Sequence, residues 1–301
     1  MFDLVAIGNP VYDEIITPYI RTEGRVLSGC STNACLVARK LGLPKVGFVG
    51  CIGKDYEDKF RAKMGHYEVD LSGVKVCSTT GGFKLVYDTT GNRTLDVLGV
   101  SDGILPEDIP KEYLDAHVIL LGPILGEISL DLLRFIRAKS DAEVFLDPQG
   151  MIREVDPSGR VVNRSNVAAT MTYASLVDFI KPNEHEAHVM TGYEDPFYSA
   201  RLMVGWGAKV AIVTLAERGS IVAKERNLLR ILAYKTLAKD PTGAGDTYAG
   251  AFITKYISGA NLYQCGLFAS AAASVKVEYT GPDFPLEEAE VERRAQILFG
   301  D

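Results

Sequence analysis

Lys239-Asp240-Pro241-Thr242-Gly243-Ala244-Gly245-Asp246-Thr247-Tyr248-Ala249-Gly250-Ala251-Phe252 is the stretch on which this sequence turns. Small residues at Gly243, Ala244 and Gly245 let a backbone turn come close to a ligand, and the residues that follow enter a helix. A helix start leaves N–H groups unpaired and presents the positive end of its dipole, which makes a site for an anion such as phosphate. Asp246 stands beside that site. A carboxylate there would repel bound phosphate, so its placement makes sense if it accepts a proton from an attacking hydroxyl. In isolation, an Asp after glycine reads as a helix cap.

On either side of this stretch, apolar strand-like runs alternate with helical periodicity, as in a parallel sheet covered by helices. Strands are expected at Leu4–Gly8, Val46–Cys51, Val118–Gly122, Val144–Asp147, Phe179–Lys181 and Val210–Thr214. Helices are expected at Thr32–Leu41, Tyr56–Met64, Ser129–Lys139, Glu184–Met190 and Pro196–Trp206, several opened by a capping residue. The chain from Ala244 to Phe299 reads as three more. Two stretches break the alternation and point to a separate sheet: Glu14–Leu27, and Gly82–Asp88 joined through Thr89-Thr90-Gly91-Asn92 to Arg93–Leu98. The second alternates apolar and polar residues about a Gly-Asn turn, the pattern of a β-hairpin. Ser220–Ala223 with Leu229–Tyr234 reads as another hairpin.

The composition bounds what the protein can be. Its 301 residues are 47% hydrophobic and 24% charged, with no apolar run near the ~20 residues that span a bilayer. No membrane association is expected. Met1–Gly8 reads as a buried strand rather than a secretion signal, so the expected location is the cytoplasm. A net charge of −7 argues against a nucleic-acid partner. The five cysteines, Cys30, Cys35, Cys51, Cys77 and Cys265, form no zinc-type spacing and are expected as buried free thiols.

The segment around Asp246 resembles the second signature of the ribokinase, or PfkB, family of carbohydrate kinases, Asp-x-Thr-Gly-Ala-Gly-Asp. The resemblance implies a Rossmann-like, doubly wound, mostly parallel α/β sheet over residues 1–301, with a small β lid from about 12–27 and 78–99. It makes Asp246 the catalytic base and Gly243, Ala244 and Gly245 the anion hole, in place of the absent P-loop lysine pattern. Asn183 and Glu186 match the family's Asn-x-x-Glu; Asn183 then faces the nucleotide and Glu186 holds hydrated Mg2+ through water. Alone, that pair reads as a helix cap.

Val213–Ser220 resembles the family's nucleotide loop, with Thr214 and Gly219 as contacts and Ala216 replacing a glycine. Ser270 lies in an alanine-rich helix that the family sets beside the base. Ser28-Gly29-Cys30-Ser31-Thr32-Asn33 resembles the first signature imperfectly, making Gly29 and Asn33 substrate residues together with Asp13, which would read paired hydroxyls. Asp55, in Gly50–Asp55, is taken first as a helix cap. Asp240 and Thr242 correspond to a potassium site. The implied activity is transfer of the terminal phosphoryl group of ATP, with ADP as the other donor, to a hydroxyl of a small sugar. A nucleoside or cyclitol is the alternative acceptor, and a nucleotide sensor without turnover the alternative of another class. A homodimer is left open, although the short segment between Asp13 and Gly29 argues against one formed through the lid.

Overall fold

Runs such as Leu4–Ile7 and Val210–Val213 are apolar at every position because both faces of their strands are covered. The computed structural model describes residues 1–88 and 93–300, so the expected Thr89–Asn92 turn lies outside the described residues. The strands are β1 (Phe2–Ile7), β2 (Val11–Ile16), β3 (Val26–Ser28), β4 (Val46–Gly53), β5 (Asp70–Cys77), β6 (Gly82–Tyr87), β7 (Arg93–Gly99) and β8 (Ala116–Leu121). There follow β9 (Glu143–Leu146), β10 (Arg153–Val155), β11 (Val161–Asn163), β12 (Phe179–Ile180), β13 (Val210–Thr214), β14 (Ser220–Lys224) and β15 (Asn227–Ile231). The main sheet runs β15-β14-β13-β12-β9-β8-β1-β4-β5. It is parallel from β13 to β5, and β14 and β15 extend it as an antiparallel hairpin.

The period-two geometry of a strand divides its side chains between two cores. Leu4 and Ala6 enter one, Val5 and Ile7 the other. Helices α1 (Cys30–Lys40), α2 (Glu57–His66), α7 (Ala244–Ile257), α8 (Leu262–Lys276) and α9 (Glu288–Gly300) fill the first. Helices α3 (Leu130–Lys139), α4 (Val167–Leu176), α5 (Glu184–Thr191) and α6 (Pro196–Gly205) fill the second. On α7, the fully buried Phe252 meets the rings of Phe145 and Phe179, each with centroids 6.2 Å away. That contact fixes the helix whose first turn carries Asp246. The fold is the expected one, and no helix among the described residues is long and apolar enough to cross a membrane.

The second sheet has the order β3-β2-β6-β7, with β2 and β6 parallel and the other pairs antiparallel. Its own small core, including Val11, Ile15, Phe83 and Leu85, closes onto Cys30 and Ile124 of the main body. The stretch Glu14–Leu27 holds the end of β2, a loop and the start of β3, and Asp13 lies within β2. Strand β5, the β10–β11 hairpin and α4 were not expected. β5 is an edge strand with a largely polar outer face, and α4 buries only Thr170 and Ala174, so neither shows a strong apolar period. Asp55 does not cap α2, whose N-cap is Tyr56 without a side-chain bond. Its Oδ1 instead accepts from the Thr80 hydroxyl at 2.6 Å, tying the turn after β4 to the loop before β6.

Candidate active site

The chain leaves β1 toward β4 and β5 on one side, while β8, β9, β12 and β13 lie on the other. Open α/β sheets bind ligands beyond the carboxyl ends of their strands at such a switch point. Here those ends border a cleft of about 1150 Å3, with Asp13, Phe83, Leu85 and Arg93 of the second sheet on its opposite wall.

At the centre stands the start of α7. Gly243 adopts φ +78°, the left-handed conformation glycine allows, and a side chain there would meet the Asn33 amide at 3.1 Å. No side chain among the described residues caps the helix. The Ala244 amide donates to the Pro241 carbonyl at 3.2 Å, whereas those of Gly245 and Asp246 have no acceptor within the helix. Of the three amides expected to face an anion, the turn therefore engages that of Ala244. Asp246 accepts a bond from the Asn33 side-chain amide at 2.8 Å. Desolvation in the cleft and the like charge of Asp147 push its carboxyl above the usual carboxylate range, against the opposing pull of Asn33, Lys181 and Arg93. Such a shift moves a carboxylate toward the basicity useful in a general base.

The sequence did not single out Lys181 and Asp147. They form a buried ion pair at 2.8 Å, each side chain 3% exposed. β9 and β12 are parallel neighbours with Ile180 opposite Leu146, so the next residues of the two strands emerge together. Burial pulls the Lys181 ammonium down, but the charge and hydrogen bond of Asp147 together with the neighbouring Cys30 and Glu186 outweigh it and hold the group above the ordinary lysine range. A side-chain carbon at Gly245 would sit 3.4 Å from Lys181 Nζ, so the ammonium lies against the first turn of α7. Cys30 Sγ and carboxylate oxygens of Asp147 and Asp246 lie within 4.8 Å of one another. Burial and the two carboxylates raise the Cys30 thiol well above its ordinary value, so it stays protonated and is a poor metal ligand.

Asn183 and Glu186 form a reciprocal capping box: the Asn183 N–H donates to Glu186 Oε2 at 2.9 Å and the Glu186 N–H to Asn183 Oδ1 at 2.8 Å. Both line the cleft. The Glu186 carboxyl is raised by burial and by Asp147, with Asn183, Lys181 and Arg153 opposing. Glu186 and Asp147 both line the cleft and offer the oxygen donors that a hard divalent cation takes, so the residues fit Mg2+.

At the acceptor end, Asp13 Oδ1 accepts from the Phe83 N–H at 2.8 Å. Burial pushes the Asp13 carboxyl up to about 6 against bonds from Phe83 and Ser28 and the charges of Arg153 and Arg25. Gly29 lines the same end as the N-cap of α1. Asn33, expected there as a substrate residue, directs its amide to Asp246. Arg93 and Arg153, neither anticipated, also face the cleft. Arg93 donates to the Tyr87 hydroxyl at 3.1 Å, and Arg153 to the Ile124 carbonyl at 3.1 Å and Gln149 Oε1 at 2.6 Å.

At the far end, Thr214, Gly219 and Ser270 line the cleft. The Thr214 N–H donates to the Pro182 carbonyl at 3.1 Å, joining the loop after β13 to the Asn183 turn. Gly219 is obligatory: at φ +90° a side chain would lie 1.9 Å from the Ile231 carbonyl oxygen. Ala216, where the family pattern has glycine, takes φ +51°. The Ser270 hydroxyl donates to the Leu232 carbonyl at 2.7 Å. Behind the Gly243–Asp246 turn, Asp240 is fully buried; Oδ1 accepts from the Thr242 N–H at 2.9 Å, while Oδ2 has no hydrogen-bond partner among the described residues. The Thr242 hydroxyl bonds to that of Tyr87 at 3.0 Å.

A carboxylate of raised basicity at an uncapped helix start, with an ammonium beside it, is equipment for moving a phosphoryl group onto a hydroxyl. Residues 152–289 match the sequence profile of the pfkB family carbohydrate kinases. The cytidine kinase of Thermococcus kodakarensis is 33% identical over 274 residues, covering 88% of this chain and 92% of its own. A pyrophosphate-dependent kinase in the ribokinase family superposes with a TM-score of 0.82 at 22% identity, over 96% of this chain and 99% of its own. A ribokinase II candidate from E. coli, in complex with ATP and Mg2+, gives a TM-score of 0.78 at 19% identity, over 99% and 100%. The chain belongs to the pfkB family of carbohydrate kinases. It is a sugar or nucleoside kinase of the ribokinase type, a phosphotransferase with a hydroxyl acceptor.

Proposed function

We propose that this kinase transfers the terminal phosphoryl group of ATP, bound with Mg2+, to a hydroxyl on the ribose of a nucleoside. The observation that carries the chemistry is Asp246 at the uncapped start of α7, held by Asn33 at 2.8 Å. The nucleoside reading draws on the 33% identity to a cytidine kinase along most of both chains. In this reading Asp246 takes the proton of the attacking hydroxyl, and Asn33 orients its carboxylate. The free amides at the helix start and the Lys181 ammonium meet the charge of the transferring group, since phosphoryl transfer rests mainly on positioning and electrostatics. Asp13 accepts bonds from the acceptor's hydroxyls. Thr214, Gly219 and Ser270 border the donor. Glu186 and Asp147 would hold Mg2+, which supplies charge neutralisation on the phosphates. The second sheet covers the acceptor and keeps water from the phosphorus.

A coupled assay of ATP consumption with cytidine, ribose, deoxyribose and myo-inositol tests the acceptor. The highest kcat/KM is expected with the nucleoside; faster turnover of a free pentose or the cyclitol overturns that part of the proposal. Glu186→Gln is expected to move the Mg2+ half-saturation point severalfold higher, because a charge that retains the hydrated ion is lost. An unchanged Mg2+ titration leaves Glu186 as a cap alone.

Asp13 gives a pH signature. As an ionised acceptor it loses one of its roles when protonated, so kcat/KM for the acceptor should fall as the pH drops through about 6. Because burial raises the folded-state value, the same group weakens folding most above about pH 6, and that cost disappears as the pH falls toward the unfolded value. Asp13→Asn should lower kcat/KM at neutral pH and remove this limb from the profile, with nucleotide affinity unchanged. Retention of the limb at the same pH in Asp13→Asn would assign it elsewhere.

A further inference from the structure

Lys276, at the last turn of α8, is 3% exposed, yet its charge has no carboxylate within ion-pair distance among the described residues. Its Nζ donates to the Tyr279 carbonyl at 2.9 Å. Its side chain passes beneath the phosphate loop: a carbon placed on Gly243 would lie 3.5 Å from Lys276 Cε. Burial lowers the Lys276 ammonium below the ordinary lysine range, and the charges that oppose this are those of Asp240, before the loop, and Asp246, at its end. Lys239 and Asp240 both donate their backbone N–H to the Val277 carbonyl, at 2.7 and 3.1 Å, strapping the loop onto the residues just after Lys276.

This bears on the potassium expected at Asp240 and Thr242. A buried carboxylate with a free oxygen asks for a positive charge nearby, because an uncompensated charge in the interior is costly. Lys276 already supplies one from within the chain. The Thr242 hydroxyl donates to that of Tyr87 at 3.0 Å, which fixes its rotamer toward the second sheet. A metal ion beside Asp240 would be repelled by the Lys276 ammonium, whose charge already acts on that carboxylate, so the residues present do not favour a monovalent cation there.

We propose that Lys276 is a tethered cation for the phosphate loop, fixing its shape and adding to its positive field, and that the enzyme turns over fully without potassium. The inference rests on the assignment of the Gly243–Asp246 turn to phosphate. Lys276 touches the loop and not the reacting atoms, which makes it a positioning residue.

The wild-type enzyme is assayed in chlorides of potassium, sodium and tetramethylammonium at matched ionic strength, and its thermal midpoint is read in the same salts. Equal kcat and equal midpoints are expected. Lys276→Met is expected to lose kcat by at least ~10-fold in tetramethylammonium, less than the ~10²–10³ of removing a donor that touches the reacting group directly. A rise of its thermal midpoint in potassium over tetramethylammonium, absent from wild type, would show the ion entering the vacated pocket. Activation of the wild-type enzyme by potassium, or a potassium-dependent midpoint in wild type, overturns the proposal, as does full turnover of a folded Lys276→Met in tetramethylammonium. The wild-type arms decide the matter even if the variant fails to fold. Failure of the phosphate assignment shows separately, as Asp246→Asn retaining turnover.

Discussion

Asp246→Asn should lower kcat by roughly 10²–10⁴-fold, the range for removal of a general base, while the nucleotide dissociation constant stays close to that of wild type. The substitution keeps the shape of the side chain and the start of α7, so the helix amides remain available to phosphate. What disappears is the ability to take a proton. It also removes one of two neighbouring carboxylates, Asp246 being raised by burial and by the charge of Asp147, so the fold should lose little. The measurement is kcat by a coupled assay together with nucleotide affinity by calorimetry. A folded variant with near-normal kcat would take Asp246 out of the mechanism. Asn33→Ala supplies a graded comparison: it leaves the base but removes the 2.8 Å bond that aims it, so a smaller fall in kcat is expected.

Lys181→Met should have the second largest effect, and it should act on stability as well as turnover. Removing one partner of a buried ion pair leaves the other charge without compensation, at a cost of about 3–5 kcal/mol. Asp147, with a side chain 3% exposed, has no alternative cation at ion-pair distance among the described residues. The double variant Lys181→Met with Asp147→Leu removes both charges, and replacing a buried pair by apolar groups is often close to neutral. The double variant is therefore expected to recover most of the midpoint of denaturation while kcat remains low, because the ammonium beside Gly245 and the Asp147 carboxylate assigned to Mg2+ are both missing. If kcat recovers together with stability, Lys181 is a structural residue only.

Much of the architecture could be read from local pattern. Leu4–Ile7, Val118–Leu121 and Val210–Val213 are continuously apolar because parallel strands in the middle of a sheet are covered on both faces, and that requirement acts residue by residue. The elements that escaped notice obey weaker local rules. β5 lies at the sheet edge and carries polar residues outward; α4 is amphipathic only at Thr170 and Ala174. The Asn183–Glu186 pair shows the ambiguity of a short motif: the reciprocal cap is present, and the same two residues line the cleft.

The sequence by itself determined the class of fold, the helix start at Gly243–Asp246 and the kinase family, because each rests on residues adjacent in the chain whose backbone conformation and spacing carry the information. Tertiary structure alone decided the partners. Asn33 meets Asp246 because α1 packs beside α7, 213 positions apart in sequence. Lys181 meets Asp147 because β12 and β9 are neighbours in register. Lys276 reaches beneath Gly243 because α8 returns its last turn to the Gly243–Asp246 turn. Charge compensation in a buried site depends on distance in space, and no periodicity along the chain encodes which strand or helix lies next to which.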